Sequence, residues 1–445
     1  MQETLWKPFR RGDLWAVFAL AVILRMALFA ASNNEVGTHK VLDGCFDCTL
    51  YLNEGRAIAT GAPLAFENAL LYFGPGYPSF LALNYLLFGG RVVLFILVNI
   101  LISSLSSLFV YRLTRLLLGS YPAAIGAALM TALSYTSIAL SCFILSDTLY
   151  FLIFLISLIL YVEALQDRSW KKTVGAGIVT GMAILIRPIG EFWPFIMIII
   201  AAAYYRRYLR KLAHRQSFRA YAARVAIAVV IPLVIATAWM ARNYRVHGAF
   251  TMSIAGGNGP GNLAAMTLER RTGTAAHDIM KGWYDQFLVD SGKTQGSLGD
   301  AYAAYATNGW RIIDSLKWES TKTYLIVMWD NLNAINVLHR YLIPEYNNVT
   351  IPLEEAIMNS WIKYIYLAAS MLGFTALLCQ RQFFAAVVLG NIFLYYALML
   401  GFYRWQYSRH FLPGQIAGSI LIAFFLLTVI QMMCALVRWL TVRVR

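Results

Sequence analysis

The chain has 445 residues, of which 59% are hydrophobic and only 13% charged, against roughly 25% charged in a typical soluble domain. Apolar runs close to the ~20 residues that cross a bilayer as a helix recur along its length, which excludes an ordinary soluble multidomain protein. A formal net charge of +15 would suggest nucleic acid in a soluble chain. Here the basic residues sit in short loops between apolar runs, so they mark membrane topology and no nucleic-acid partner is expected.

In chain order, the apolar runs predict about ten spans: 14–31, 92–117, 121–141, 145–165, 173–188, 191–205, 222–240, 361–378, 383–402 and 411–437. The expected fold is therefore an all-α polytopic membrane protein with a range of roughly nine to thirteen spans. The pair 173–205 is short enough to be re-entrant. The run 77–88 is too short to span and suits a helix in the interface of the first outer loop. The first run shows no small-residue cleavage site and reads as a retained span. Three regions follow: a membrane module over 1–240, a small outer-face subdomain over 241–360, and C-terminal spans over 361–445.

Loop charges set the orientation. Lys7, Arg10 and Arg11 fall on one side, with Arg112, Arg115, Arg168, Lys171 and Lys172. The loop from Arg206 to Arg224, then Arg381, Arg438, Arg443 and Arg445, fall there too. An excess of Lys and Arg identifies cytoplasmic loops, so both termini are expected inside, with 32–76 and 241–360 outside.

The unusual polar residues collect on the outer side. Asp47 and Tyr51 are spaced i, i+4 and would share one helix face. A carboxylate there can serve as a general base, hold a metal or belong to a solvated acidic loop. The turn Gly74-Pro75-Gly76-Tyr77-Pro78 leads into the interfacial run. Ser146 or Asp147 can cap the fourth span, and Asp147 is otherwise a site candidate at a span's edge. Arg187 can snorkel, pair with Glu191 or bind a phosphate. Arg242 follows the seventh span. The glycine-rich stretch from Gly256 through Asn258 to Asn262 is either a flexible linker or an anion-binding nest. Arg404, Arg409 and His410 lie among aromatic residues before the last span, suited to a phosphate and a sugar ring or to an interfacial belt. Cys45 and Cys48 bracket Asp47 without a metal-ligand set around them.

The order of these motifs resembles the GT-C membrane glycosyltransferases, in particular the protein mannosyltransferase and lipid-A aminoarabinose transferase group, over about residues 40–415. The resemblance rests on Asp47, Tyr51 and Gly61, on Gly74–Pro78 with Leu81–Gly89, and on Ser146–Tyr150. It continues through Gly181–Pro188, Trp239–Tyr244 with Gly248, Gly256–Asn258 and Arg409–Pro413. Asp147 stands where many relatives have Glu, and His410 where many have Tyr.

The resemblance implies a GT-C-like fold and transfer of a sugar from a polyprenyl-phosphate donor to a lipid, glycan or protein acceptor. It implies an inverting single displacement on the extracytoplasmic face, in a bacterial inner membrane. It makes Asp47 the base and Asp147 a second catalytic carboxylate, with a divalent metal at Asp147 left open and no other cofactor. Arg187, Arg242, Arg404 and Arg409 would take the donor phosphate. Tyr51, Tyr77, Asn258, Asn262 and His410 would contact substrate. Two other classes compete: an O-antigen ligase or polymerase-like enzyme with a pyrophosphate-linked donor, and a polyprenyl-lipid flippase or transporter. Against the latter, the chain shows no internal repeat, and Arg25 is the clear charge inside a span.

Overall fold

The computed structural model describes residues 11–31, 46–62, 73–209, 215–253, 258–333, 362–402 and 411–443. These residues form helices joined by short turns, with no strand among them. The chain begins with α1 (Arg11–Ala31), α2 (Phe46–Thr60) and α3 (Gly76–Phe88). The membrane bundle continues as α4 (Val92–Leu118), α5 (Tyr121–Ala132), α6 (Tyr135–Leu140), α7 (Ser146–Asp167), α8 (Trp170–Ile186), α9 (Trp193–Tyr204) and α10 (Arg215–His247). Beyond it lie α11 (Gly259–Thr272), α12 (Ala276–Asp290), α13 (Leu298–Ser315) and α14 (Lys317–Asn333). The chain then returns through α15 (Ile362–Cys379), α16 (Phe383–Met399) and α17 (Leu412–Arg443).

Among the described residues, seven segments are long and apolar enough to cross a membrane: Gly12–Ala30, Val92–Leu118, Ser146–Asp167, Pro188–Tyr208, Phe218–His247, Phe383–Phe402 and Leu412–Trp439. With the shorter α5, α8 and α15 they match the ten expected runs, so the chain is an all-α, multi-pass membrane protein. The run 121–141 is broken where Ser134 caps α6 by accepting from the Ser137 N–H. That leaves α5 with twelve residues, about 18 Å of helix against a ~30 Å hydrocarbon core. The pair 173–188 and 191–205 forms two helices separated by a 3-10 turn, Pro188–Gly190.

Helix α7 lies at the centre. It is apolar on every face, as a helix surrounded by others must be, and Phe151, Phe154, Leu158 and Val162 are all buried. α4 and α8 flank it, and α10 packs on the far side of α8. That last contact is close because Gly177 and Gly181 face Ile231 and Ile235. A Cβ on Gly181 would come within 2.4 Å of the Ile235 side chain. Small residues at such positions let helices approach where lipid offers no hydrophobic drive.

The two ends of α7 differ in kind. Its last turns enter an ion cluster in which Glu163 meets Arg112 at 2.5 Å and Lys172 at 2.8 Å, and Asp167 also pairs with Lys172. Its first turn, at the opposite end of a 22-residue helix about 33 Å long, opens on the cavity described below. Helices α11–α14 pack on one another and on the 3-10 turn Leu400–Phe402 after α16. Within them, Ser297 and Asp300 form a reciprocal capping box at the start of α13. Burial there works against the Asp300 carboxylate, yet Lys293 and Ser297 hold its pKa below the usual value.

Arg25 is wholly buried inside the bundle. Its Nε donates to Ser103 Oγ at 2.8 Å and its Nη2 to Ser137 Oγ at 2.9 Å. Nη1 donates to the carbonyls of Ala21 at 2.9 Å and Ala132 at 3.2 Å. No carboxylate pairs with it among the described residues. A guanidinium is satisfied here by hydroxyls and a helix's last carbonyl, and it ties α1 to α4, α5 and α6. Arg25→Ala would leave those groups unmet around a void, a loss on the order of 2–5 kcal/mol. The expected outcome is a clear fall in the thermal midpoint of the detergent-solubilised protein, with Arg25→Lys intermediate. An unchanged midpoint for Arg25→Ala would show the network to be dispensable.

Candidate active site

The cavity has a volume of about 630 Å³ and lies where α2, the start of α7, the end of α8, the turn before α9 and the start of α11 converge. Asp47 occupies the first turn of α2 and Tyr51 the second, and both line the cavity. The i, i+4 spacing therefore places them on one helical face, as expected.

Tyr51 fixes that face. Its hydroxyl donates to Ser146 Oγ at 3.2 Å, which joins α2 to the beginning of α7. Its ring rests on Phe73 with centroids 4.5 Å apart and meets Tyr77 edge-on at 4.7 Å. Tyr77 is fully buried and stands behind Tyr51, outside the cavity lining.

The turn leading into α3 is seated on the end of α8. A Cβ at Gly76 would fall 2.6 Å from the Ile186 backbone N and 2.7 Å from the Leu185 carbonyl carbon, and Gly74 has φ +89°. No other residue allows that backbone-to-backbone contact. The Gly-Pro-Gly-Tyr turn thus docks one residue from Arg187.

Arg187 ends α8 in an extended conformation, and Pro188 begins a 3-10 turn. The turn is pinned from α16 and α7. Tyr395 donates to the Ile189 carbonyl at 2.6 Å, Tyr150 and Tyr396 share a hydroxyl–hydroxyl bond at 2.5 Å, and Gly190 lies against the Tyr150 hydroxyl. Arg187 lines the cavity and forms an ion pair with Asp147. The α7 N-cap is Leu145, with no side-chain cap. Asp147 is therefore buried as the partner of Arg187 and does not cap the helix.

The other expected site residues divide. Arg242 stacks over Trp239 at 5.0 Å and bonds Asn243 Oδ1 and His247 Nε2, each at 3.2 Å. It lies outside the cavity lining, although Met240 on the same helix reaches it. Asn258 immediately precedes Gly259 and Pro260, which line the cavity, and its Oδ1 is buried with no hydrogen-bond partner. The Asn262 N–H donates to the Asn258 carbonyl at 2.8 Å, one turn into α11. Arg404, Arg409, His410, Gly256 and Cys45 lie outside the described residues. Cys48 is disulfide-bonded.

Two features were not legible as site residues. Glu191 lines the cavity instead of pairing with Arg187; an acid at the head of an apolar span was the available signal. The aromatic wall, with Phe192, Phe195, Phe250, Tyr302 and Trp310, comes from segments far apart in sequence. The charged lining residues among those described are Asp47, Arg187 and Glu191. No group of three or more His, Cys, Asp or Glu side chains suited to a metal occurs among the described residues, and Asp147 is paired with Arg187.

Comparison with known proteins agrees with this architecture. A family model described as dolichyl-phosphate-mannose-protein mannosyltransferase matches residues 73–239, which include α7, the Asp147–Arg187 pair and Glu191. Among solved structures, the chain is similar to the archaeal oligosaccharyltransferase AglB from Archaeoglobus fulgidus in complex with an inhibitory peptide and a dolichol-phosphate. That match has 14% identity and a TM-score of 0.51, covering 96% of this chain and 51% of that one. The apo form of the Archaeoglobus fulgidus oligosaccharyltransferase matches at 13% identity with a TM-score of 0.52, covering 99% and 52%. The chain thus spans about half the length of these structures, and it shares with them the GT-C fold. No curated protein sequence matches it.

Glu54 adds an electrostatic constraint to the same helix. It lies on α2 two turns beyond Asp47, is 4% exposed, and neither carboxylate oxygen has a hydrogen-bond partner. Burial raises its pKa to about 8. A folded-state pKa above the ordinary carboxylate value near 4.3 means that the folded protein binds this proton more tightly than the unfolded chain. Stability from this group is then complete below about pH 4.3 and is lost as pH rises towards 8. Glu54→Gln should flatten that dependence and raise the thermal midpoint more at pH 8 than at pH 5. Parallel midpoint–pH curves for the two proteins would exclude a buried, neutral Glu54.

Proposed function

We propose that this protein is a glycosyltransferase that moves a sugar from a polyprenyl-phosphate donor to a hydroxyl acceptor at the extracytoplasmic surface of the membrane. The observation that carries the proposal is the joint presence of Asp47 and Arg187 in one cavity, from opposite ends of the membrane module. The cavity also lies at the end of α7 remote from its basic cluster, the end that loop charge assigns to the outside. The fold supports the same reading, and one structural neighbour holds a dolichol-phosphate.

In this mechanism Arg187 binds the donor phosphate. Its planar guanidinium suits bidentate phosphate contact, and Asp147 holds it in position. Asp47 accepts the proton of the acceptor hydroxyl as that oxygen bonds to the anomeric carbon from the face opposite the phosphate. The bond between that carbon and the phosphate oxygen breaks, and the electron pair leaves with the polyprenyl phosphate. The added negative charge on the phosphate is stabilised by Arg187, and the proton on Asp47 passes to solvent. The anomeric configuration inverts in this single displacement.

Asp47→Asn keeps the size of the side chain and removes the base. Transfer from a polyprenyl-phosphate sugar should fall by about 10²–10⁴, with the thermal midpoint preserved and Asp43→Asn active. Near-normal turnover of Asp47→Asn would identify a different base. Arg187→Lys keeps the charge and loses the planar fork. It should weaken donor use by roughly ten- to a hundred-fold, read as the transfer rate against donor concentration. A curve matching the wild type would move the phosphate away from Arg187.

A further inference from the structure

Glu191 is the charged group of the cavity that this reaction leaves without a role. It stands in the first turn of the apolar span Pro188–Tyr208 and lines the cavity. Its backbone N–H donates to the Pro188 carbonyl at 2.8 Å, while among the described residues its carboxylate has no ion pair or hydrogen bond. An ionisable side chain at the edge of the hydrocarbon is costly unless something meets it. The nearest candidate in sequence, Arg187, is engaged by Asp147. The intervening turn is pinned by Tyr395, so the two side chains of the Arg187–Glu191 segment are held to different tasks. The residue just after it, Phe192, and Phe195 also line the cavity and are about half exposed.

An acceptor-only carboxylate beside exposed aromatic faces is matched by a ring that donates hydrogen bonds from its edge and presents C–H groups from its face. A sugar has both features, whereas a polyprenyl chain has no donors. We propose that Glu191 holds the sugar of the donor, accepting hydrogen bonds from ring hydroxyls while the neighbouring phenylalanines pack on the ring. This inference rests on the donor assigned above and deepens it. Arg187 reads the carrier phosphate, and Glu191 distinguishes a charged carrier from an empty one.

Binding separates the two roles. Undecaprenyl phosphate, alone and carrying mannose, glucose or galactose, is titrated against the full-length protein in nanodiscs, for wild type, Glu191→Ala and Glu191→Gln. The wild type is expected to bind at least one sugar-charged carrier ten-fold or more tightly than the bare carrier. Glu191→Ala should bind the bare carrier like the wild type and lose that preference, with Glu191→Gln intermediate. A preference retained in Glu191→Ala overturns the assignment, as does a wild type that binds the bare carrier but prefers none of the three sugars. Should Glu191→Ala also lose the bare carrier, Glu191→Gln decides: a reduced sugar preference supports the role and a full one sinks it. A wild type that binds no carrier at all instead removes the donor reading itself, and this inference with it.

Discussion

The ion pair between Asp147 and Arg187 is the contact on which the rest of the site depends. It joins the first turn of α7 to the residue that caps the end of α8, two helices whose other polar links are the Thr180–Ser157 hydrogen bond and the pairing of Lys172 with Glu163 and Asp167 at the far end. Burying both charges is expensive, and such a pair often adds little net stability. Removing one partner is far worse, because the other is left buried and uncompensated. The pair therefore acts chiefly as a constraint on geometry. It fixes where α8 stops, and so where the Gly-Pro-Gly-Tyr turn can sit, since Gly76 lies directly on the Leu185–Ile186 backbone. The turn in turn sets Tyr77 behind Tyr51, Tyr51 reaches Ser146, and Asp47 is carried one helical turn away on the same face. A short chain of contacts thus relates the carboxylate of α2 to the guanidinium at the end of α8, more than a hundred residues later.

Much of the membrane architecture was legible because apolar length is a local property. Each expected run corresponds to a helix, with one exception explained locally: Ser134 restarts a helix inside 121–141, whereas the break between 173–188 and 191–205 falls at the extended Arg187 and Pro188. The Asp47–Tyr51 face was legible because i, i+4 spacing survives whenever the segment is helical. The same arithmetic misleads for Arg187 and Glu191. They are also four apart, but the extended backbone and 3-10 turn between them remove the helical geometry that would bring them together. Asp147, forty residues earlier, takes the arginine instead. Arg242 shows a different limit. α10 continues to His247, past the expected end at 240, so Arg242 lies on a helix face and stacks on Trp239.

Burial of polar groups was the least legible feature. Glu54 resembles many solvent-facing acids in sequence. It is enclosed because α2 packs along α3, where Gly55 admits Leu81 to within 2.6 Å of a would-be Cβ. The aromatic wall is similar. Phe192, Phe250 and Trp310 belong to three separate segments and form one surface only after the helices beyond α10 fold back over the opening. Sequence shows such residues one at a time, whereas the site consists of their convergence.

Arg25 carries a consequence for how the protein is made. Its acceptors on other helices are Ser103, Ala132 and Ser137, and all of them leave the ribosome more than seventy residues after it. Until they arrive, α1 holds an arginine that insertion measurements place at about +2.5 to +3.5 kcal/mol at a helix centre. The cost can be lowered by snorkelling towards the nearer surface. Only when α4, α5 and α6 have entered the bilayer can the guanidinium withdraw into its final shell of hydroxyls and carbonyls. Helix α1 is thus synthesised before α4, α5 and α6 but reaches its resting depth only with them, and the order of assembly in the membrane differs from the order of synthesis.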